Sequence, residues 1–449
     1  MGCRYELIPA KDLIQLHVDI GLLLISKGAH SSRDIIDELF AFAVSHINMA
    51  LSKCSNTDTN AGIAIEFTPS QHIVFAKLNL RAGQKAVKEK SDFALAEVHL
   101  KAGLSFLPRN SWLDQYDLTL QIHDEYSNVS ILFCCVVSYG RLIYQSKYGL
   151  TVFTRDAMAW QVLFVQRNLE ELHLHVDTVL KNATCIGDKI KAHEQMISVL
   201  TLKGATSEAL DHAKSTLGSL GFPFPPSINT DTVKGVINSL MSKILSFTPD
   251  TLRALHVMTE KVPLQAMKIM SAVHLPYSFS SPTMFQMIAC QMVQLTIKHG
   301  LCVQSAEAFA NLGYCINALF KNFDAGYRIS KLSLVILERF KANNEVAKVH
   351  FIIYGFLSVW KEPLQATIEG LQSAVNTGLV TGDHKNVLHN QVVMYRQMML
   401  AGCHLSILRD RLLGLCRDMV RLSQNNWYTI EKSAIFIEHM LLLSFADVW

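Results

Sequence analysis

SAEAFANLGYCINALFKNFDAGYRISKLSLVILERF, residues 305–340, is the stretch whose reading decides the fold. Taken with a helical period, Ala306, Phe309, Gly313, Ile316 and Phe320 share one face, and Ile329, Leu332, Ile336 and Phe340 share the next. Downstream, in a segment running to Asp383, Val349, Ile352, Phe356 and Val359 continue the series at the same spacing. Upstream, PLQAMKIMSAVHLPYSFSSPTMFQMIACQMVQLTIKHG (263–300) supplies a further amphipathic pair. Each helix carries an apolar stripe that it cannot bury alone, so neighbours must stack. The expected fold is all-α: a tetratricopeptide-like α-solenoid of stacked antiparallel helix pairs, wound as a right-handed superhelix.

Composition agrees. Hydrophobic residues make up 50% of the 449 residues and charged residues only 18%, which excludes a disordered chain. Eleven prolines and 22 glycines are few enough to permit long helices. The formal net charge of +3 is too small, and too evenly spread, to imply nucleic acid as a partner. The longest apolar run, Ile131 to Val137, falls far short of the roughly 20 residues that span a bilayer. No signal peptide is visible, and ten scattered cysteines read as free thiols of a reducing compartment, so a cytoplasmic location is expected.

The repeat logic extends outward from the centre. Leu13, Leu16, Ile20 and Leu23 space a first helix, and Ile35, Leu39, Phe42 and His46 a second. Residues 52–70 are polar and read as a loop. From Gln71, small residues (Ala82, Gly83, Ala86) precede Phe93, Ala96 and a closing Pro108, which resembles a tetratricopeptide unit of about 34 residues lacking its tryptophan. GFPFPPSINTDT (221–232) interrupts the pattern, since residues before proline avoid helix. The expected organisation is therefore an N-terminal helical half over 1–217, a Pro/Gly hinge over 218–232 and a C-terminal half over 233–449. Leu405, Leu408, Leu412, Leu415 and Met419 space another helix, and 427–449 one more.

Candidate chemistry is sparse. His173, His175 and Asp177 suggest a metal site only on a strand or loop, because positions i and i+2 on a helix diverge by about 200°. Asp124-Glu125 and Glu170-Glu171 are carboxylate pairs whose adjacent members also diverge on a helix. Cys302 and Cys315 lie near His299 without any nucleophile elbow around them. Met258, Met267, Met270, Met284, Met287 and Met292 read as core filler, with a binding groove as the alternative. His274-Leu275-Pro276-Tyr277 and Pro282 read as helix breaks, forming a loop where a partner could dock. No catalytic, cofactor-binding or metal residue is assigned, and no cofactor is expected.

YELIP (5–9), LNLRAGQKA (78–86), SWLDQYDLTLQIHDE (111–125), GDKIKAHEQMI (187–197), KGATSEALDHAKSTLGSLGFPFPP (203–226), PLQAMKIMSAVHLPYSFSSP (263–282) and FDAGYRISKLSLVILERF (323–340) occur in a familiar order. With them the chain resembles the helical region of large multidomain signalling proteins, the STAND-type "predicted ATPases" with AAA-like motors. That resemblance implies a regulatory and interaction segment, whose partners are another protein or neighbouring domains of a parent ATPase. The family's motor, kinase and GAF domains are not matched: the chain contains neither a GxxxxGK[ST] P-loop nor kinase signatures. It starts about where the family's helical region starts and stops before any output domain. A non-catalytic module is the expectation, and a fragment of an ATP-dependent signalling enzyme the alternative.

Overall fold

The computed structural model describes residues 10–28, 43–49, 67–90, 92–138, 155–224 and 228–422. Among them the chain is helical, and its one extended feature is a parallel bridge between Val257 and Leu301. Of the expected second helix, 43–49 is described and is helical, while its earlier residues, the loop up to 66 and the helix over 427–449 lie outside these residues. The expected loop over 52–70 is corrected at its end, where Pro69 and Ser70 already belong to a helix. The chain forms two compact units, 1–133 with 175–183, and 134–174 with 184–449. The segment 218–232 lies inside the second.

In the first unit, α1 (Ala10–Gly28) and a helical segment over 43–49 precede α2 (Pro69–Lys90), α3 (Phe93–Phe106), the short α4 (Ser111–Asp114) and α5 (Tyr116–Ser138). α2 and α3 run antiparallel, since Gly83 lies against Leu100 and Gly103 against Asn79. Ala82, Ala86, Phe93 and Ala96 are buried, as their spacing requires, with Ala82 against Val44 of the 43–49 segment. A Cβ on Gly83 would stand 2.7 Å from Leu100 Cγ, so the small residue sets how closely the helices approach. Asp92 caps α3 by accepting from the Leu95 amide.

The next helices are α6 (Arg155–Asn182), which passes from the second unit into the first, then α7 (Ile186–Leu202), α8 (Thr206–Ser219), α9 (Thr230–Ile244) and α10 (Pro249–Ala254). α11 (Lys261–Ser280), α12 (Pro282–His299), α13 (Ser305–Phe320), α14 (Phe323–Phe340) and α15 (Asn343–Ile352) follow. A π turn (Ile353–Leu357) and a 3-10 turn (Ser358–Trp360) lead to α16 (Leu364–Thr381), α17 (His384–Leu400) and α18 (Leu405–Leu422).

Within the second unit the helices from α11 to α18 pack on their chain neighbours, the contact order of an all-α solenoid of antiparallel pairs, while α9 packs on α12 and α13 and α10 on α14. The loops are short because caps reverse the chain at once. Asn322 accepts from the Ala325 amide to start α14, and Asp383 from Asn386 to start α17. Lys321 and Lys341 take left-handed backbone angles where α13 and α14 end. Alternate helices then run parallel. Asn311 bonds His274 across 37 residues, Lys348 meets Glu307 across 41, and Asn390 reaches the Ala347 carbonyl across 43.

The expected faces are buried where periodicity puts them: Ala306, Phe309, Gly313 and Ile316 on α13, Ile329, Leu332 and Ile336 on α14, and Leu408, Leu412 and Leu415 on α18. Two local expectations are corrected. The helix period does not continue from Val349 to Val359, because α15 gives way to the π turn at Ile353. Nor is His274–Tyr277 a loop. α11 continues through Pro276 to Ser280, held by buried Val273, His274 and Tyr277, and the break comes at Ser281, where Pro282 opens α12.

Candidate functional site

The polar residues that converge in the second unit come from α11, α13 and α15. Glu307 points from the first turn of α13 into the core, where it is 5% exposed. Ser271 donates its hydroxyl to Glu307 Oε2, and Lys348 Nζ stands 3.4 Å from the same oxygen. His274 Nδ1 lies 3.4 Å from Glu307 Oε1 and 2.9 Å from Asn311 Nδ2. Glu345 adds a second carboxylate 3.2 Å from Lys348 Nζ. Burial alone would raise the Glu307 carboxyl, but Lys348, then His274 and Ser271, outweigh it and hold it at about 2. Burial opposes the charge on Lys348 as well, and Glu307 and Glu345 overcome it, raising the ammonium above its ordinary range.

This sets what the cluster can do. Lys348 Nζ donates to Ser271 Oγ at 3.1 Å, the spacing of a serine–lysine pair in acyl-transfer chemistry. Such a base must be neutral, and two carboxylates keep this lysine charged. Ser271 meanwhile donates its hydroxyl hydrogen bond to the Glu307 carboxylate and accepts one from Lys348. The group therefore joins three alternate helices, α11, α13 and α15.

Beside it runs an aromatic row. His274 meets Phe285 tilted at 4.4 Å, Phe285 meets Tyr314 edge-on at 6.1 Å, and Tyr314 meets Phe356 at 5.8 Å. Phe351 continues from Phe356 to His389. Tyr314 is exposed while Phe285 and Phe356 are half-buried, so the row opens to solvent in its middle. At the irregular turn after α15, Glu362 gathers the Tyr327 hydroxyl at 2.6 Å and Lys331 Nζ at 2.5 Å.

The residues singled out by sequence do not converge. His173 Nδ1 lies 3.4 Å from Lys203 Nζ, His175 lies 3.4 Å from His123, and Asp177 pairs with Lys181 four residues on. Glu125 accepts from Gln84. His299 pairs with Glu260 at 2.8 Å, and burial raises both Cys302 and Cys315. Met258, Met267, Met270, Met287 and Met292 are buried, which is the core-filler reading. Sequence reasoning missed Glu307, Ser271 and Lys348. The available signal was a carboxylate inside an otherwise apolar and small run, Ala306-Glu307-Ala308-Phe309.

No protein-family model matches the chain, and no curated protein matches it. Among solved structures, a circular tandem repeat protein with novel repeat topology and enhanced subunit contact surfaces aligns over 98% of this chain and 99% of its own. The identity is 11% and the TM-score 0.20. No helix among the described residues is long and apolar enough to cross a membrane.

Proposed function

We propose that the chain is a non-catalytic helical-repeat module that binds a protein partner along the row Phe285–Tyr314–Phe356. The observation that supports this is the row itself. It runs from α12 across α13 to the π turn after α15, is exposed at Tyr314 and lies beside the polar cluster through His274, so it offers an extended surface. Large, rigid aromatic side chains with a polar tip contribute strongly at interfaces for little loss of conformational freedom.

A photo-crosslinking side chain at position 314 tests the reading, with the exposed Ser242 on α9 as control. A protein captured at 314 and absent at 242 supports it. Equal capture at both, or none at either while the chain stays folded, overturns it.

The resemblance carried by the seven segments from 5–9 to 323–340 favours one refinement: that the partner is a signalling ATPase, or the remainder of a longer ATP-dependent enzyme. A captured protein bearing a P-loop, or a transcript joining this reading frame to one, supports it. A captured partner without a nucleotide-binding motif removes it and leaves the interaction module standing.

A further inference from the structure

Three histidine pairs meet ring nitrogen to ring nitrogen between separate helical segments. His17 Nδ1 lies 2.8 Å from His46 Nδ1, His123 lies 3.4 Å from His175, and His193 Nδ1 lies 2.9 Å from His212 Nε2. Such a contact requires one ring to donate and the other to accept, so it survives on neutral imidazoles or on a pair sharing one added proton. Two imidazolium rings present two donors and two positive charges at that distance. Among the described residues no three His, Cys, Asp or Glu side chains are grouped to hold a metal ion, so protons are the ligand these pairs are placed to read.

The pair on α7 and α8 is the most constrained. Thr216 on α8 sits 3.4 Å from His193 Nδ1. The charged groups acting on the two rings are Lys189 on α7 and His173 on α6, and both oppose further positive charge. His173 itself lies against Lys203 at 3.4 Å. From α11, which packs on both helices, Lys268 acts on Glu194 and Tyr277 interacts with Asp211. We propose that the His193–His212 contact is a proton-operated latch between α7 and α8, closed while the rings carry at most one added proton and released when both are charged.

Burial, then His212 and Lys189, push His193 down to about 4 from 6.5, and burial with His173 pushes His212 down too. The folded pair therefore binds fewer protons than the unfolded chain. Its stabilisation is full above pH 6.5 and is lost as pH falls toward 4. His123 is displaced the same way, to about 4, by burial and His175.

Hydrogen exchange on the full chain, corrected for the intrinsic pH dependence of exchange, tests the latch. Protection over residues 186–219 is expected to fall about tenfold between pH 7.5 and 5.5, the linkage of one histidine moved from 6.5 to about 4. The pair α13 and α14, which contains no histidine, serves as the internal reference and should hold. The double variant His193→Asn, His212→Gln keeps a neutral donor and acceptor at the two ring positions and should lose the local pH response. Parallel loss in both helix pairs, no loss over 186–219, or an unchanged response in the folded double variant overturns the proposal. Should the double variant not fold, the comparison of the two helix pairs in the wild-type chain decides the matter by itself.

Discussion

Glu307 and Lys348, 41 residues apart, face each other at 3.4 Å between two parallel helices, and the pair is asymmetric. The carboxylate side chain is 6% exposed and the lysine 31%, so removing the lysine strands a charge that water cannot reach. Lys348→Met is expected to cost about 2 kcal/mol. That is below the roughly 3–5 kcal/mol of a fully buried pair, because Lys348 is partly solvated and Glu307 keeps Ser271 and His274. Glu307→Gln with Lys348→Met should recover part of the loss in urea unfolding. A single variant as stable as wild type would show that the pair contributes nothing.

The same carboxylate sets an acid limit. Its folded value of about 2 lies below its ordinary 4.5, so its stabilisation is full above pH 4.5 and is lost as pH falls toward 2. In Glu307→Gln the fall in melting temperature between pH 5 and 2.5 should be shallower than in wild type. Equal slopes would assign that limb to other groups.

The crossing of α13 and α14 depends on two glycines. A Cβ on Gly326 would stand 1.9 Å from Asn317 Oδ1 and 2.7 Å from the Gly313 carbonyl, and one on Gly313 would stand 2.5 Å from the Gly326 carbonyl. An amide side chain can swing away, but a helix backbone cannot. Gly313→Ala and Gly326→Ala are each expected to cost about 1–3 kcal/mol, and less than additively together, since either one already forces the helices apart.

These sites also mark what the sequence makes legible. The buried faces of α13, α14 and α18 follow from a 3.6-residue period, which needs only local information, and Gly313 stood out as a small residue on such a face. The π turn at Ile353 did not, because Phe356 and Val359 keep the apolar spacing through it. Pro276 misled for the opposite reason: a local helix breaker is overridden when Val273, His274 and Tyr277 are all buried around it. Glu307, Ser271 and Lys348 were illegible as a group because 36 to 41 residues separate the partners. Only the stacking of successive helices brings them together.

Thiol reactivity should follow burial. Cys185, exposed at the start of α7, is expected to alkylate in the native protein, with Cys403 slower. Cys290, raised to about 12 by burial, and the buried Cys302 and Cys315 should react only on unfolding. Mass spectrometry of peptides after a short pulse of iodoacetamide reads each site separately. Early labelling at Cys315 would show that the α13 core opens in the native state.

Tyr314 separates binding from folding. Its ring touches Phe285 and Phe356 but is 38% exposed, so Tyr314→Ala forfeits limited packing and should lower stability by about 1 kcal/mol or less. If the aromatic row is the partner's seat, the same variant should weaken capture at least about tenfold, as loss of a central aromatic anchor does. Val380, 88% exposed near the end of α16 and absent from the row's ring contacts, supplies the comparison: Val380→Ala should change neither property. Capture that survives Tyr314→Ala but fails with Val380→Ala would move the interface off the aromatic row and onto the α16–α17 turn.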